Sequence, residues 1–309
     1  MFMPAVLRYG IGTDYPVYTA IFKDITRSPG ERVEYGFYLL NMIFRTTGFD
    51  VQWVFGAMSF LTLFFLFRAI PRRSFYFITP FYYMMLYTAS YNTVRQSLVI
   101  CMAYYAYRLF EKRRIKRAFV CIAIAALFHR SAVMYFALFL LMLFLRIRKR
   151  TVIVVFCLIL AMTKYINLII GFMFQYIISY TVYANYIIYL QNNAVTNNEW
   201  FATISRYMIF IMLLLSMPKH MTKEMSDICI LFLIYIFSYV LGQNILIFGR
   251  LSNGFSFAWF PIIHYINSHK AKYTKIVLAI LLCWALVYFF FSLKNGMNGV
   301  LPYRSIIQR

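Results

Sequence analysis

The chain has 309 residues, 63% of them hydrophobic and 13% charged, with a mean hydropathy of +0.69 and a formal net charge of +22. So much apolar surface excludes a soluble globular domain and points to a polytopic membrane protein. Lys and Arg outnumber Asp and Glu by 31 to 9; the basic residues sit in short clusters between apolar runs, which favours cytoplasmic anchoring and anionic partners and argues against nucleic acid.

The N-terminal residues, up to about position 50, contain no full span. Met1 to Leu7 is apolar but short, and Arg8 follows it, which is not the layout of a cleavable signal. Asp14 stands between Gly12-Thr13 and Tyr15-Pro16, either as a base or acceptor-orienting residue or as a helix cap. The helical apolar spacing of residues 34–47 predicts an amphipathic helix embedded at the membrane surface, with Glu34 at its start as a cap or an arginine partner.

Beyond this segment the apolar runs are continuous rather than alternating, which selects helices over a barrel. Spans of roughly 20 apolar residues are expected at about 51–69, 75–91, 95–111, 115–129, 131–146, 151–170, 199–217, 226–247, 251–267 and 273–293. The pair over 115–146 is short, a tilted hairpin or re-entrant pair with His129-Arg130 at its tip. Ten spans put the basic clusters Arg68/Arg72/Arg73, Lys112 to Arg117, Arg146 to Arg150, Lys219/Lys223 and Lys270 to Lys275 on one side, read as cytoplasmic. The other side then receives residues 1–50, Asn92 to Gln96, His129 to Ser131, the loop 171–198, Arg250 and the tail 294–309. An external start with no signal ahead of it leads to the expectation of a truncated first helix, of which residues 1–8 are the stub, and eleven spans in all. The whole, 1–309, reads as a single all-α integral membrane domain.

Three polar interruptions break the apolar runs: Asn92-Thr93-Val94-Arg95-Gln96, His129-Arg130-Ser131 and Gly249-Arg250-Leu251. Ionisable groups at membrane depth usually face a protein interior or a watery cavity. Sharing one external face, they predict a cationic cavity for an anionic substrate. Tyr176, Tyr180, Tyr183, Tyr186 and Tyr189 fall on one helical face of the loop 171–198, as an aromatic belt or a platform for sugar rings. Cys101, Cys121, Cys157, Cys229 and Cys283 lie in apolar runs without metal-type spacing and read as core residues.

Taken in order, several segments resemble the Wzy/EpsG family of bacterial polysaccharide polymerases. They are Gly12-Thr13-Asp14-Tyr15 with Tyr18, Glu34-Tyr35-Gly36, Asn92-x-x-Arg95-Gln96, His129-x-Ser131, Gly249-Arg250 and Leu301-Pro302-Tyr303-Arg304-Ser305. The resemblance covers nearly the whole chain. It implies a GT-C-like bundle of about ten or eleven helices in the bacterial inner membrane, with its active site on the periplasmic side. The implied reaction is glycosyl transfer that joins O-antigen, capsule or exopolysaccharide repeat units carried on undecaprenyl diphosphate. The implied partners are that lipid-linked oligosaccharide, membrane lipid and a chain-length regulator. Family proteins usually begin with a helix ahead of the GTDY segment.

Such a transfer needs stabilisation of the leaving diphosphate and a group to take the acceptor proton. Arginine suits the first task through paired hydrogen bonds to phosphate oxygens. The candidates are Arg95 and Arg250, then Arg130 and Arg206, with Asn92 and Gln96 as further polar contacts. For the proton the candidates are Asp14 and His129. Glu34, Tyr303 and Arg304 complete the expected substrate-binding set, with Tyr303 and Arg304 contacting sugar or phosphate or merely tying the terminus down. No metal or cofactor is expected, because arginines can serve the diphosphate. A flippase or transporter of lipid-linked sugars, an O-antigen ligase and a membrane acyltransferase are the alternatives. Transporters often show internal repeats and broken midplane helices, and an acyltransferase would want its histidine on the cytoplasmic side.

Overall fold

The computed structural model describes residues 1–25, 33–176, 200–218, 220–243, 246–269 and 274–308. The described residues are helical, with one isolated antiparallel bridge between Arg8 and Ser305. They form two compact units: Met1–Phe139 with Phe260–Arg309, and Leu140–Trp259.

The first unit begins with three short helices, α1 (Phe2–Leu7), α2 (Tyr15–Asp24) and α3 (Tyr35–Thr46). The amphipathic helix expected over 34–47 is α3; α1 falls within the residues 1–8 read as a helical stub, and α2 begins directly after Asp14, where a helix cap was one reading. Pro16 pre-sets the backbone at the start of α2. The helix α3 buries Phe37 and Asn41 while exposing Tyr35, Leu39 and Ile43. Its outward face is therefore apolar, and Asn41 turns inward to donate to the Phe37 carbonyl at 2.7 Å.

Helix α4 (Val51–Ala69) starts at Asp50, whose carboxylate accepts from Gln52 N at 2.9 Å. It buries Val54, Phe55, Met58 and Leu66 and exposes Trp53, Phe60, Phe64 and Phe67. A helix apolar on both faces belongs between a protein core and lipid. The next run, expected as one span over 75–91, is α5 (Phe75–Tyr82), a π-helical turn over Tyr83–Tyr87 and a 3-10 turn over Ala89–Tyr91. Pro80 inside α5 removes a ladder hydrogen bond, and the helix loosens beyond it.

Helix α6 (Val94–Glu111) is the axis of this unit, packed by α4 and by α7 (Ile115–Ala126). Leu98, Val99, Cys101, Ala103, Tyr104 and Ala106 are fully buried, and the small ones among them let neighbours approach closely. A 3-10 turn over Arg130–Ala132 then leads into α8 (Val133–Phe144), the two arms of the hairpin expected at 115–146.

The second unit contains α9 (Lys149–Tyr176), α10 (Trp200–Ser216), α11 (Lys223–Gly242) and α12 (Leu246–Gly254). Its basic residues close helix ends. Arg146 donates to the Met221 carbonyl at 3.0 Å, Lys149 to Met217 at 2.7 Å, and Lys223 to Met142 and Leu145. The last helices are α13 (Trp259–Ser268) and α14 (Thr274–Lys294). Helical runs thus coincide with all ten expected spans, the one at 251–267 being broken by a 3-10 turn over Phe255–Ala258. Among the described residues α4, α11 and α14 are long and apolar enough to cross a membrane. Tyr180, Tyr183, Tyr186 and Tyr189 lie outside the described residues.

Candidate functional site

Glu34 is the meeting point of the predicted site residues in the first unit. It occupies the N-cap of α3 in an extended conformation, yet its carboxylate does not cap that helix. One oxygen forms an ion pair with Arg95 of α6. The other accepts from His129 Nδ1 at 2.9 Å and from the Arg130 backbone N–H at 3.1 Å. Gly36 makes this meeting possible. Its N–H donates to the Leu127 carbonyl at 2.7 Å, and a Cβ there would lie 2.9 Å from that oxygen. Only glycine lets the start of α3 lie this close to the end of α7.

The side chains of Glu34, Arg95 and His129 are 9%, 22% and 29% exposed, so solvent still reaches the histidine. Burial pushes the Glu34 carboxyl up, but the His129 hydrogen bond, the Arg95 charge and the Arg130 N–H outweigh it and hold the group down at about 2. An ionised carboxylate only accepts, so His129 Nδ1 carries a proton. In the neutral ring Nε2 then holds the lone pair and can accept a proton from a hydroxyl. Arg95 lies beside the rings of Phe37 and Tyr18, 5.4 Å and 6.0 Å from their centroids. Fork geometry leaves its remaining N–H groups able to meet phosphate oxygens.

Asn92 does not join Arg95, although it was expected, with Gln96, on its helical face. Asn92 precedes α6 and donates instead to the carbonyl and side chain of Asn298 at 3.2 and 3.3 Å. Gln96 is buried in the core. Asp14 stands at the N-cap of α2, half-buried, with its backbone carbonyl receiving Tyr18 N at 3.1 Å and no side-chain capping bond. Arg130 contributes its backbone N–H, and its side chain is exposed.

Tyr303 and Arg304 fasten the tail to the chain start. The Tyr303 hydroxyl donates to the Pro4 carbonyl at 2.8 Å, and the Arg304 carbonyl accepts from Tyr9 N at 2.9 Å. Gly12 N donates to the Gly299 carbonyl at 3.1 Å in the same clasp. Gly12 has φ +96°, and a Cβ there would meet Asn92 Oδ1 at 2.7 Å, so the GTDY segment needs this glycine.

Sequence reasoning missed Arg8. It is 2% exposed, donates to the Tyr91 carbonyl at 2.6 Å, and stacks on Phe55 and Tyr91 with 4.3 and 4.9 Å to the ring centroids. Burial lowers its guanidinium to about 10, which leaves it charged at neutral pH. The only signal was a basic residue closing a short apolar stretch.

In the second unit, Arg206 is buried. Its Nε donates to the Tyr235 hydroxyl at 2.9 Å, it donates to Tyr239 at 3.3 Å, and it lies 4.1 Å from the Tyr239 ring centroid. Arg250 is exposed, inside α12 rather than at its start, beside Gly249, where a Cβ would sit 3.5 Å from the Gly242 carbonyl.

No curated protein and no solved structure is similar enough to match the chain. The model of the EpsG family matches residues 1–305. The helical membrane architecture and this match over nearly the whole length place the chain in the EpsG family, a polysaccharide polymerase-like family.

Proposed function

We propose that this protein is a glycosyltransferase of the bacterial inner membrane that polymerises lipid-linked oligosaccharide repeat units into a surface polysaccharide. The observation that carries the reading is the Glu34 carboxylate shared between Arg95 and His129 Nδ1. The transfer breaks the bond from sugar anomeric carbon to diphosphate oxygen and forms one to an acceptor hydroxyl oxygen. His129 Nε2 takes the acceptor proton while Glu34 holds the tautomer. Arg95 meets the negative charge that grows on the departing diphosphate, and Glu34 keeps its fork oriented.

The carrier on this reading is undecaprenyl diphosphate, the site faces the periplasm, and the bundle is GT-C-like with ten or eleven spans. The clustered cytoplasmic basic residues support that orientation, because they leave Arg95 and His129 on the opposite side. Asp14 and the exposed Arg130 and Arg250 remain candidates for acceptor and phosphate contacts, and a chain-length regulator is a candidate partner.

The test is purified protein mixed with a defined undecaprenyl-diphosphate oligosaccharide, with products sized by gel. A ladder of longer glycans supports the reading. Unchanged glycan length, with movement of the lipid across vesicles, makes the protein a flippase and ends it.

A further inference from the structure

Arg8 takes no part in the site around Glu34, and its surroundings are of a different kind. Among the described residues no carboxylate lies within ion-pair distance of it. The titratable groups that act on it are tyrosine hydroxyls: Tyr91, Tyr18, Tyr15 and Tyr87. Its Nε is buried and has no hydrogen-bond partner. A desolvated cation with a spare donor is expensive unless something negative offsets it. With nine acidic residues against 31 basic ones in the chain, no described carboxylate stands there.

Arg8 also lines a cavity. Ser59 and Thr62 of α4, Ser90, Tyr91 and Ser97 are among the other walls. The cavity is small, with room for a group of a few atoms and not for a sugar ring. Hydroxyl rotors can turn to donate to such a group. The planar guanidinium fork fits phosphate oxygens better than a point charge does. The wall formed by α4 belongs to a helix long and apolar enough to cross a membrane.

We propose that Arg8 anchors a second anion site, distinct from the Glu34 site, that takes one phosphate group into the cavity between α1, α4 and the start of α6. The phosphate is either borne by a polyprenyl lipid or free in solution. Only the lipid source rests on the carrier substrate proposed above.

The test is thermal unfolding of the purified full-length chain in neutral detergent, titrated with inorganic pyrophosphate and, separately, with undecaprenyl phosphate. Sodium chloride at equal ionic strength and a neutral polyprenol are the controls. A probe that binds the folded state raises the midpoint saturably. The wild-type chain is expected to respond to at least one phosphate probe and to neither control. Arg8→Gln is expected to weaken the apparent Kd by about tenfold or more, the scale of a lost charge-assisted pair. Ser59→Leu keeps Arg8 and closes the cavity; Ser59 is only half-buried, so this variant is expected to fold and to bind as poorly as Arg8→Gln.

A response to the lipid alone assigns the site to a headgroup, and a response to pyrophosphate as well assigns it to phosphate from either source. No saturable response to either probe, or wild-type affinity in Ser59→Leu, overturns the proposal. The assay reads no polymer. Binding that depends on Arg8 without a glycan ladder therefore ends the polymerase reading alone, and a ladder with binding independent of Arg8 ends the Arg8 site alone.

Discussion

Arg95 and Arg8 flank the same aromatic pair and are held in opposite ways. Arg95 sits beside Tyr18, Tyr18 meets Phe55 edge-on with 6.2 Å between centroids, and Arg8 lies over Phe55. Arg95 is partly exposed and paired with a carboxylate. Arg8 is buried, and its contacts are a carbonyl and two ring faces. The environment, not the residue type, decides what each can do. The Arg95 charge is already oriented by Glu34 and coupled to a histidine. The charge of Arg8 has only neutral neighbours among the described residues, so an incoming anion changes its energy more.

Removing Glu34 separates the two regions most sharply. Glu34→Ala leaves Arg95 without its partner and frees the His129 ring to change tautomer. Polymer yield is expected to fall by about 100-fold or more, with a loss of about 2 kcal/mol in stability, between exposed and buried ion pairs. Phosphate-dependent stabilisation through Arg8 should persist. Glu34→Gln reads the same contact through pH. The folded carboxyl stands at about 2, below its ordinary 4.5. Its contribution is therefore complete above about 4.5 and is lost as pH falls towards 2. The gap in unfolding midpoint between wild type and Glu34→Gln should narrow over that window, and a constant gap would contradict the ion pair.

The next largest effect is expected at His129. His129→Gln keeps a hydrogen bond to Glu34 but offers no basic nitrogen, so turnover should drop by about 100-fold. Arg95→Lys retains charge and loses the fork, and polymer yield should fall by about tenfold with little change in unfolding midpoint. Full yield from a folded Arg95→Lys protein would remove the phosphate role from Arg95.

The helical class was legible because continuous apolar runs admit few other structures, and helices stand at every expected span. Glu34, Arg95 and His129 were each legible as polar exceptions to those runs. Glu34 was legible as an arginine partner, but which arginine it meets and its contact with His129 were not, because Glu34 and His129 are 95 positions apart and nothing local encodes which helix ends converge. The helical periodicity that put Asn92 beside Arg95 failed because Asn92 lies before α6 begins and turns to Asn298. Arg8 was passed over because its importance lies in what surrounds it, the rings of Phe55 and Tyr91 and, among the described residues, no carboxylate.

Gly36 tests whether proximity itself holds the first region together. A Cβ at 2.9 Å from the Leu127 carbonyl meets backbone that cannot swing aside. Gly36→Ala is therefore expected to displace α3, cost about 1–2 kcal/mol and lower polymer yield without touching any charge.

The smallest expected effect belongs to Asn92, which bears on the second region. Its amide reaches Asn298 at 3.2 and 3.3 Å, and its neighbour Tyr91 supplies the carbonyl that holds Arg8. Asn92→Ala removes the hydrogen bonds that join the entry to α6 and the tail. The loss should be about 1 kcal/mol, the usual net worth of such contacts. The sign of its effect on function distinguishes a clasp from a ligand. As a clasp, it loosens the Tyr91 carbonyl, so phosphate binding at Arg8 weakens while the Glu34 carboxylate keeps its partners and polymer yield barely changes. As a substrate contact beside Arg95, it lowers polymer yield and leaves phosphate stabilisation intact. Measuring both on one preparation of Asn92→Ala tells which of the two arginines this residue serves.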